Sequence, residues 1–209
     1  MKLDDKGLLV VISGPSGVGK GTVRSALFNM TGHDLVYSVS MTTRKPRSKE
    51  IDGVDYFFVT KDEFEKRIAE GQMLEYAEFI NNYYGTPLNE VERNLELGKE
   101  VVLEIEVNGA TQVREKMKDA IFIFIAPPSF TTLKDRLMSR GTEPVELIEE
   151  RCNKAERELH LAYMYDYIVV NDTVENAADK IMAIIRAEHA KTERTIQKYK
   201  QMLEAENEN

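Results

Sequence analysis

The 209-residue chain has only one cysteine and three histidines, and it has no long apolar segment. A single cysteine, Cys152, excludes an internal disulfide and any metal site built from several cysteines. The histidines, His33, His160 and His189, lie far apart, without the spacing of a metal site. The apolar run Ile121–Ala126 is far too short to span a bilayer. Because the first residues also lack a signal-peptide pattern, we expect a soluble, cytoplasmic protein without a membrane partner.

Basic residues are fewer than acidic ones. Lys and Arg number 28 against 36 Asp and Glu, which gives a formal net charge of −8. This balance argues against nucleic acid as a partner. It does not exclude a nucleotide ligand, because a few local arginines can outweigh a global negative charge. The length suffices for one domain with a core and small inserted lobes.

A glycine-rich segment, Gly14–Lys20, fits the phosphate-binding pattern G-x-x-x-x-G-K. It follows the apolar run Leu8–Ile12 and precedes a helical pattern, which is the strand–loop–helix context that this motif requires. Glycines let backbone N–H groups converge on phosphate oxygens, the helix directs its positive end at them, and Lys20 adds a mobile charge. The segment therefore predicts a nucleotide site. The residues expected to contact the nucleotide are Gly14, Pro15, Ser16, Gly17, Val18, Gly19, Lys20, Gly21 and Thr22.

The expected magnesium site departs from the usual pattern. Gly21 stands where a serine or threonine usually binds Mg²⁺, and Thr22 follows it. The sequence Gly-Lys-Gly-Thr resembles nucleoside monophosphate kinases, which implies that nucleotide oxygens and water hold most of the metal. Glu104, at the end of the apolar run Val101–Ile105, is a candidate to bind Mg²⁺ through water. The alternative for Glu104 is a charge at a strand edge.

Apolar runs and helical patterns alternate along the chain. The predicted strands are Leu8–Ile12, Val101–Ile105, Ile121–Ile125 and Tyr167–Val170. The predicted helices are Thr22–Met30, Thr111–Lys118, Phe130–Ser139 and Val174–Arg194. Nearly continuous apolar strands are typical of a parallel sheet that is covered on both faces. The alternation therefore predicts an α/β fold with right-handed crossovers.

Two segments interrupt this alternation. Residues 34–90 carry short alternating stretches, such as Leu35–Val39, and a compact helix near Asp62, which we interpret as a small mixed lobe. A second, charged insertion is expected at about 128–160. The polar tail, about 186–209, carries a few apolar residues. A solvated terminal helix is the favoured interpretation of this tail, and a homodimer or partner contact is the alternative.

A long second motif resembles the signature of guanylate kinases. Within residues 40–59, a Thr-Thr-Arg triplet is followed by a second arginine, an acid, a glycine, a tyrosine and aromatic residues. The resemblance covers about residues 8–185. It implies a P-loop nucleotide kinase fold with a parallel five-stranded sheet. Further stretches that agree are Leu74–Tyr76, Asn82–Thr86, Ala126–Ser129, Arg136 and Arg140–Glu143.

The residues of this motif also suit a nucleoside monophosphate chemically. Arg44 and Arg47 can each bind a phosphate through two N–H groups, and Tyr56 and Tyr84 can donate hydroxyls to the same dianion. The Glu75 carboxylate complements guanine, whose N1–H and 2-amino group are adjacent donors. Adenine has no donor at N1 and would leave a buried carboxylate unpaired, which is strongly unfavourable. Glu75 is therefore the predicted base-selecting residue.

The resemblance implies the rest of the site. Ser40, Thr86 and Glu106 would complete the guanine and ribose pocket, and Asn171 would contact adenine. No general base is expected, because the attacking phosphate oxygen is already anionic. Cations would instead stabilise the migrating phosphoryl group. The residues expected to act in catalysis are Lys20, Arg44, Arg136, Arg140 and Arg151.

The resemblance also implies a division of the chain and a reaction. The core would comprise about residues 1–39, 91–127 and 161–209, with a GMP-binding lobe at 40–90 and a helical lid at 128–160. The expected reaction transfers the γ-phosphoryl group of ATP, with Mg²⁺, to GMP, and the use of dGMP stays open.

Two alternatives differ in class from a GMP kinase. A non-catalytic guanylate-kinase-like module would bind protein partners, but such modules characteristically lose the phosphate loop or the lid cations. This chain has both Lys20 and Arg136. A kinase for another monophosphate would be expected to lack the context of Glu75 and the Arg44–Arg47 spacing.

Overall fold

The computed structural model describes residues 6–138 and 145–207, which form two sheets with flanking helices. The strands are β1 (Leu9–Ser13), β2 (Leu35–Tyr37), β3 (Met41–Thr42), β4 (Phe57–Phe58), β5 (Met73–Phe79), β6 (Asn82–Pro87), β7 (Glu100–Glu104), β8 (Ile121–Ala126) and β9 (Tyr167–Val170). The helices are α1 (Lys20–Asn29), α2 (Lys61–Ala69), α3 (Leu88–Glu96), α4 (Val107–Lys116), α5 (Phe130–Met138), α6 (Val145–Leu159), α7 (Val174–His189) and α8 (Thr192–Asn207).

The larger sheet has five parallel strands in the order β2-β7-β1-β8-β9. All five residues of β1 are buried, because helices cover both faces of the sheet. Val10 packs on one face in a cluster with residues of α1 and α7, and Val11 packs on the other with residues of α3 and α4. This double coverage explains why the strand sequences are apolar without alternation. The predicted α/β class and parallel sheet are confirmed.

The central strands β1, β7 and β8 end at the same edge of this sheet, since they run parallel. In open α/β sheets, ligands bind at the edge formed by the carboxyl ends of the strands. The loop that follows β1 and the acidic residues that end and follow β7 therefore lie together at the edge where a ligand is expected.

The smaller sheet has four strands in the order β4-β3-β6-β5, and it lies within residues 41–87. Its own apolar cluster is built on Met41, Phe64 and Met73. Strand β5 also contacts α4 of the core. The mixed α+β character predicted for this region agrees with these elements, while the boundaries of the lobes stay predictions.

Three elements differ from the sequence-based expectations. Residues 35–37, which the local pattern grouped with the inserted lobe and the resemblance grouped with the core, form the edge strand β2 of the large sheet, where three half-buried residues give a weak signal. The predicted helix Val174–Arg194 is two helices, because the chain turns at Ala190 without a glycine or proline to mark the break. Helix α3 was not predicted. No helix in the described part of the chain has both the length and the apolar character of a membrane span.

Candidate active site

The loop after β1 has the shape of a phosphate cradle. Gly19 caps α1 in the left-handed region, with φ of 95°, and a Cβ there would lie 2.7 Å from Nδ2 of Asn171. Only glycine fits both constraints without strain. Lys20 begins the helix and folds back over the loop, donating to the carbonyl oxygens of Gly14 at 2.6 Å and Pro15 at 3.2 Å. The lysine ammonium is thus held over the loop backbone.

A cavity of about 700 Å³ opens beside this loop, and we call it the donor cavity. Burial lowers the pKa of Lys20, and the negative charges of Glu104 and Glu106 partly oppose this effect. An anionic ligand beside this half-buried cation would offset the cost of its desolvation. Residues that line the donor cavity include Ser16, Gly17, Gly19, Lys20, Gly21, Thr22, Arg24, Glu104, Ile105 and Glu106.

The expected Mg²⁺ position lies between Gly21 and Glu104. A Cβ on Gly21 would stand 3.5 Å from Glu104 Oε1, so this carboxylate lies where a serine or threonine side chain would reach. Arg24 Nε lies 3.2 Å from Glu104 Oε2. Within residues 6–138 and 145–207 there is no group of three or more His, Cys, Asp or Glu side chains that could hold a metal. One carboxylate beside a phosphate cradle fits Mg²⁺ that is bound mainly by phosphate and water.

Two predicted lid arginines contact the phosphate loop. Arg136 of α5 donates to the carbonyl oxygen of Val18 at 3.2 Å, and Arg151 of α6 donates to Ser16 Oγ at 2.9 Å. Both guanidinium groups therefore lie against the loop that borders the donor cavity. The third predicted arginine, Arg140, lies outside the described residues.

Asn171 follows β9 and supports the loop from the protein side. Its Nδ2 donates to the carbonyl oxygen of Val18 at 2.7 Å, and the residue is buried. A buried hydrogen bond of this kind holds the loop backbone in place. The contact of Asn171 with adenine stays a prediction.

A second cavity, of about 440 Å³, lies between the small sheet and the core, and we call it the acceptor cavity. It shares Glu104, Ile105 and Glu106 with the donor cavity. The two cavities therefore meet at the carboxyl end of β7. The predicted residues that line the acceptor cavity are Ser40, Tyr56, Glu75, Tyr84 and Glu106.

Glu75 is the buried carboxylate of the acceptor cavity, with 6% of its surface exposed. The register between β5 and β6 shifts between Met73 and Glu75, which marks a β-bulge. Bulges of this kind often redirect side chains next to functional sites. Thr86 Oγ1 donates to Glu75 Oε1 at 2.7 Å. Burial raises the pKa of Glu75, while the Thr86 hydrogen bond and the Lys116 charge act in the opposite direction.

Gly109 in the first turns of α4 makes room for this carboxylate. A Cβ at this position would lie 2.7 Å from Glu75 Oε2, which is closer than real Cβ contacts allow. The sequence analysis did not single out Gly109. Its role depends on how α4 packs against β5, and a lone glycine in a helical pattern carries no signal of that packing.

Arg44, Tyr56 and Tyr84 form a second polar group of the acceptor side. The Arg44 guanidinium bonds both carboxylate oxygens of Glu50 at 2.8 Å, and it lies 5.4 Å from the ring centroid of Tyr56. The rings of Tyr56 and Tyr84 are 6.2 Å apart. The Arg44 hydrogen bonds lower the pKa of Glu50 to about 2, and a hydrogen bond from the Arg47 backbone N–H adds to this effect. Arg47 itself is exposed.

Two residues that tie elements together, Gln112 and Lys154, were not predicted from the sequence. The Gln112 amide of α4 exchanges two hydrogen bonds with the backbone of Tyr76 in β5, at 2.9 and 3.1 Å. Lys154 of α6 lies 2.9 Å from Glu106 Oε2. Glu50 was visible in the sequence as the acid of the signature. Gln112 and Lys154 carry no local signal, because their partners are 36 and 48 residues away in the sequence.

Comparisons with known proteins agree with this geometry. The guanylate kinase family model matches residues 6–188. The guanylate kinase of Onion yellows phytoplasma is 60% identical over 205 residues, covering 98% of this chain and 97% of the relative. That of Bacillus subtilis is 55% identical over 204 residues, covering 98% and 100%.

A solved structure gives the same result. The crystal structure of guanylate kinase from Anaplasma phagocytophilum superposes with a TM-score of 0.77 at 34% identity, and the match covers 98% of this chain and 97% of that one. The family match therefore extends over nearly the whole chain in both sequence and fold. This chain belongs to the guanylate kinase family.

Proposed function

We propose that this chain transfers the γ-phosphoryl group of ATP to GMP and releases ADP and GDP. The observation that carries the proposal is the buried Glu75 carboxylate, because the cavity that it lines shares a wall with the cavity of the phosphate loop. Two nucleotides bound in these cavities would meet at the end of β7. Membership of the guanylate kinase family supports GMP as the acceptor.

ATP would lie in the donor cavity, with its phosphates on the backbone N–H groups of the loop and on Lys20. Mg²⁺, held by phosphate oxygens and water with Glu104 outside the water shell, would neutralise part of the phosphate charge. Asn171 would be the protein contact of adenine. The residues proposed to bind ATP are Gly14, Pro15, Ser16, Gly17, Val18, Gly19, Lys20, Gly21, Thr22 and Asn171.

GMP would lie in the acceptor cavity. Glu75 would accept hydrogen bonds from N1–H and the 2-amino group of guanine, while Thr86 keeps its own bond to the same carboxylate. Adenine would leave the carboxylate unpaired, which accounts for base selection. Ser40 and Glu106 would complete the pocket. The residues proposed to bind the GMP phosphate are Arg44, Arg47, Tyr56 and Tyr84.

The transfer needs charge stabilisation and alignment more than proton transfer. An anionic oxygen of the GMP phosphate forms a bond to the γ-phosphorus, and the bond from that phosphorus to the bridging oxygen of ADP breaks. No protein group has to remove a proton. Lys20, Arg136, Arg140 and Arg151 would stabilise the charge on the migrating group from the donor side, and Arg44 would do so from the acceptor side.

The proposed division into core, lobe and lid gives this chemistry a means of excluding water. The core (1–39, 91–127 and 161–209) carries the loop, and the lobe (40–90) and the lid (128–160) would close over the two nucleotides. Closure prevents hydrolysis of ATP and completes the set of cations around the phosphates.

A coupled assay for ADP formation tests this function directly. With Mg²⁺ and ATP, we expect turnover with GMP as acceptor and little turnover with AMP, UMP or CMP. A comparison of dGMP with GMP as acceptor shows whether recognition depends on the 2′-hydroxyl. Equal use of AMP would overturn GMP as the specific acceptor and favour a kinase for another monophosphate. ATP binding without any acceptor-dependent turnover would overturn the proposal and favour a protein-binding module.

A further inference from the structure

Lys154 is a cation at the site in addition to Lys20 and the arginines proposed to act in catalysis. It follows Arg151 by three residues on α6, and residues at this spacing share one face of a helix. Arg151 contacts Ser16 of the phosphate loop, while Lys154 contacts Glu106 on the wall that the two cavities share. One helix face therefore extends from the donor side to the acceptor side.

Stability does not explain the pair of Lys154 and Glu106. Their side chains are 45% and 70% exposed, and exposed ion pairs contribute little to folding. Lys154 also lines the acceptor cavity itself. Its position at the meeting point of the two cavities, rather than its ion pair, therefore points to a role in the reaction.

The surroundings of Lys154 suit a contact with phosphate. Its ammonium has three N–H donors, with Glu106 Oε2 at 2.9 Å and Glu158 Oε1 at 3.7 Å as its acidic partners. These two acids do not use all three donors. A phosphate oxygen between the cavities would find this ammonium on the acceptor side and Lys20 on the donor side.

The pKa of Lys20 supports the same placement. Burial is the main cause that lowers this pKa, and the charge of Lys154 lowers it further. The two ammonium groups therefore act on each other electrostatically. The charges of Glu104, Glu106 and Glu158 act on the pKa of Lys20 in the opposite direction. The two ammonium groups and these carboxylates therefore surround the place where the two cavities meet.

Resting on the proposed function, we propose that Lys154 is a further catalytic residue, which contacts the transferred phosphoryl group while its bond to Glu106 positions the lid helix at the acceptor cavity. Lys154 stays protonated throughout, and the bonds that form and break are those of the transfer itself. It would thus complete a set of cations that approaches the phosphoryl group from both sides.

Steady-state kinetics of Lys154→Gln and Lys154→Arg test this assignment. We expect Lys154→Gln to lower kcat roughly tenfold to a hundredfold and to leave the KM for ATP nearly unchanged. Lys154→Arg should restore much of kcat, because it keeps the charge. The control is Lys134→Gln, which removes an exposed lysine from α5 and should stay within twofold of wild type.

The Glu106→Gln background separates a catalytic role from a positioning role. If Lys154 contacts the phosphoryl group, Lys154→Gln lowers kcat in this background as well. If it acts only through Glu106, its effect lies in the KM for GMP and disappears in the double variant, which would overturn the assignment.

Calorimetry provides a readout that does not depend on turnover. The probe is an adenosine–guanosine compound joined by five phosphates, which spans both cavities. We expect Lys154→Gln, but not Lys134→Gln, to weaken its binding about tenfold, and equal affinities would overturn the inference. If Lys154→Gln turns over GMP at the wild-type rate, this inference alone is contradicted. If the wild-type protein shows no GMP-dependent turnover, the proposed function is contradicted and this inference with it.

Discussion

The donor and acceptor cavities are built in different ways. The donor side depends mainly on one continuous segment, residues 14–22, which runs from the end of β1 into the first turn of α1. Glu104, Ile105 and Glu106 complete its lining. The acceptor side collects residues from the small sheet and its flanking segments, from the end of β7, from α4 and, with Lys154, from α6. A phosphate cradle can be made from local backbone geometry, but selection of a base requires side chains brought together by tertiary packing.

The two sides also hold opposite charges that are removed from water to different degrees. Lys20 is a half-buried cation on the donor side, and Glu75 is a buried carboxylate on the acceptor side. Burial lowers the pKa of Lys20 and raises that of Glu75, so in both cases the charged form is disfavoured. Each residue would therefore lower stability while providing the ligand contact proposed for it, a trade-off that is common at functional sites.

The largest effect should come from removing the donor cation. We expect Lys20→Met to lower kcat about a thousandfold or more, because the phosphates lose the charge that lies over the loop. The matched control is Lys180→Met, whose half-exposed side chain pairs with Asp172, and it should stay within twofold of wild type. Steady-state ADP release measures both, with circular dichroism to show that the fold is intact. A kcat above one tenth of wild type in Lys20→Met would contradict the donor assignment.

Removing the acceptor carboxylate should have the next largest effect, and it should depend on the base. We expect Glu75→Gln to lower kcat/KM for GMP roughly a hundredfold to a thousandfold, because a neutral amide cannot accept from both guanine donors. The kcat/KM for AMP should not fall by the same factor. Glu92→Gln on the exposed face of α3 is the control. An equal loss with GMP and AMP would show that Glu75 supports the fold of the cavity rather than its selectivity.

The same contrast explains what the sequence could predict. The loop, its flanking strand and its helix follow from local patterns: an apolar run, spaced glycines and a lysine. The acceptor residues became visible only because the signature is long, and their geometry does not follow from it. The bulge that directs Glu75 and the bond between Arg44 and Glu50 required the structure. Family membership is confirmed, while the roles of individual residues stay predictions.

The remaining failures share a physical cause. Residues 35–37 form a strand because an edge of the sheet is available to them, and three half-buried residues do not reveal that edge. Helix α7 ends at Ala190 without a helix-breaking residue. Gln112 and Lys154 gain their roles from contacts across more than thirty residues of sequence. Local patterns therefore predict elements well, but not the contacts between them.

A smaller effect should follow from filling the space beside the acceptor carboxylate. We expect Gly109→Ala to raise the KM for GMP roughly tenfold, because the new Cβ would displace Glu75 from its position. The KM for ATP should change little, since Gly109 does not line the donor cavity. Thr111→Ala, an exposed substitution on the same helix, controls for altered helix stability. A rise in both KM values would mean that the substitution disturbs α4 as a whole.

The smallest expected effect is on stability and tests the cost of the buried carboxylate. Because the pKa of Glu75 is raised in the folded protein, the folded state binds the proton more tightly than the unfolded state does. The stabilising contribution of the protonated form is therefore present below the ordinary value of 4.5, and it is lost as the pH rises through the raised pKa. Glutamine mimics that neutral form at every pH, and its carbonyl oxygen can still accept from Thr86.

We therefore expect Glu75→Gln to melt at a higher temperature than wild type at pH 8, by a few degrees for a change of about 1 kcal/mol. The difference should shrink as the pH falls toward 4.5, because the raised pKa of Glu75 makes its protonated form the more populated one there. Thermal melts of both proteins from pH 8 to pH 4.5 measure it, with Glu92→Gln as the exposed control. If the difference is constant over this range, the carboxylate charge is not its cause. If it follows the pH as expected, the residue that selects the base also lowers the stability of the acceptor side.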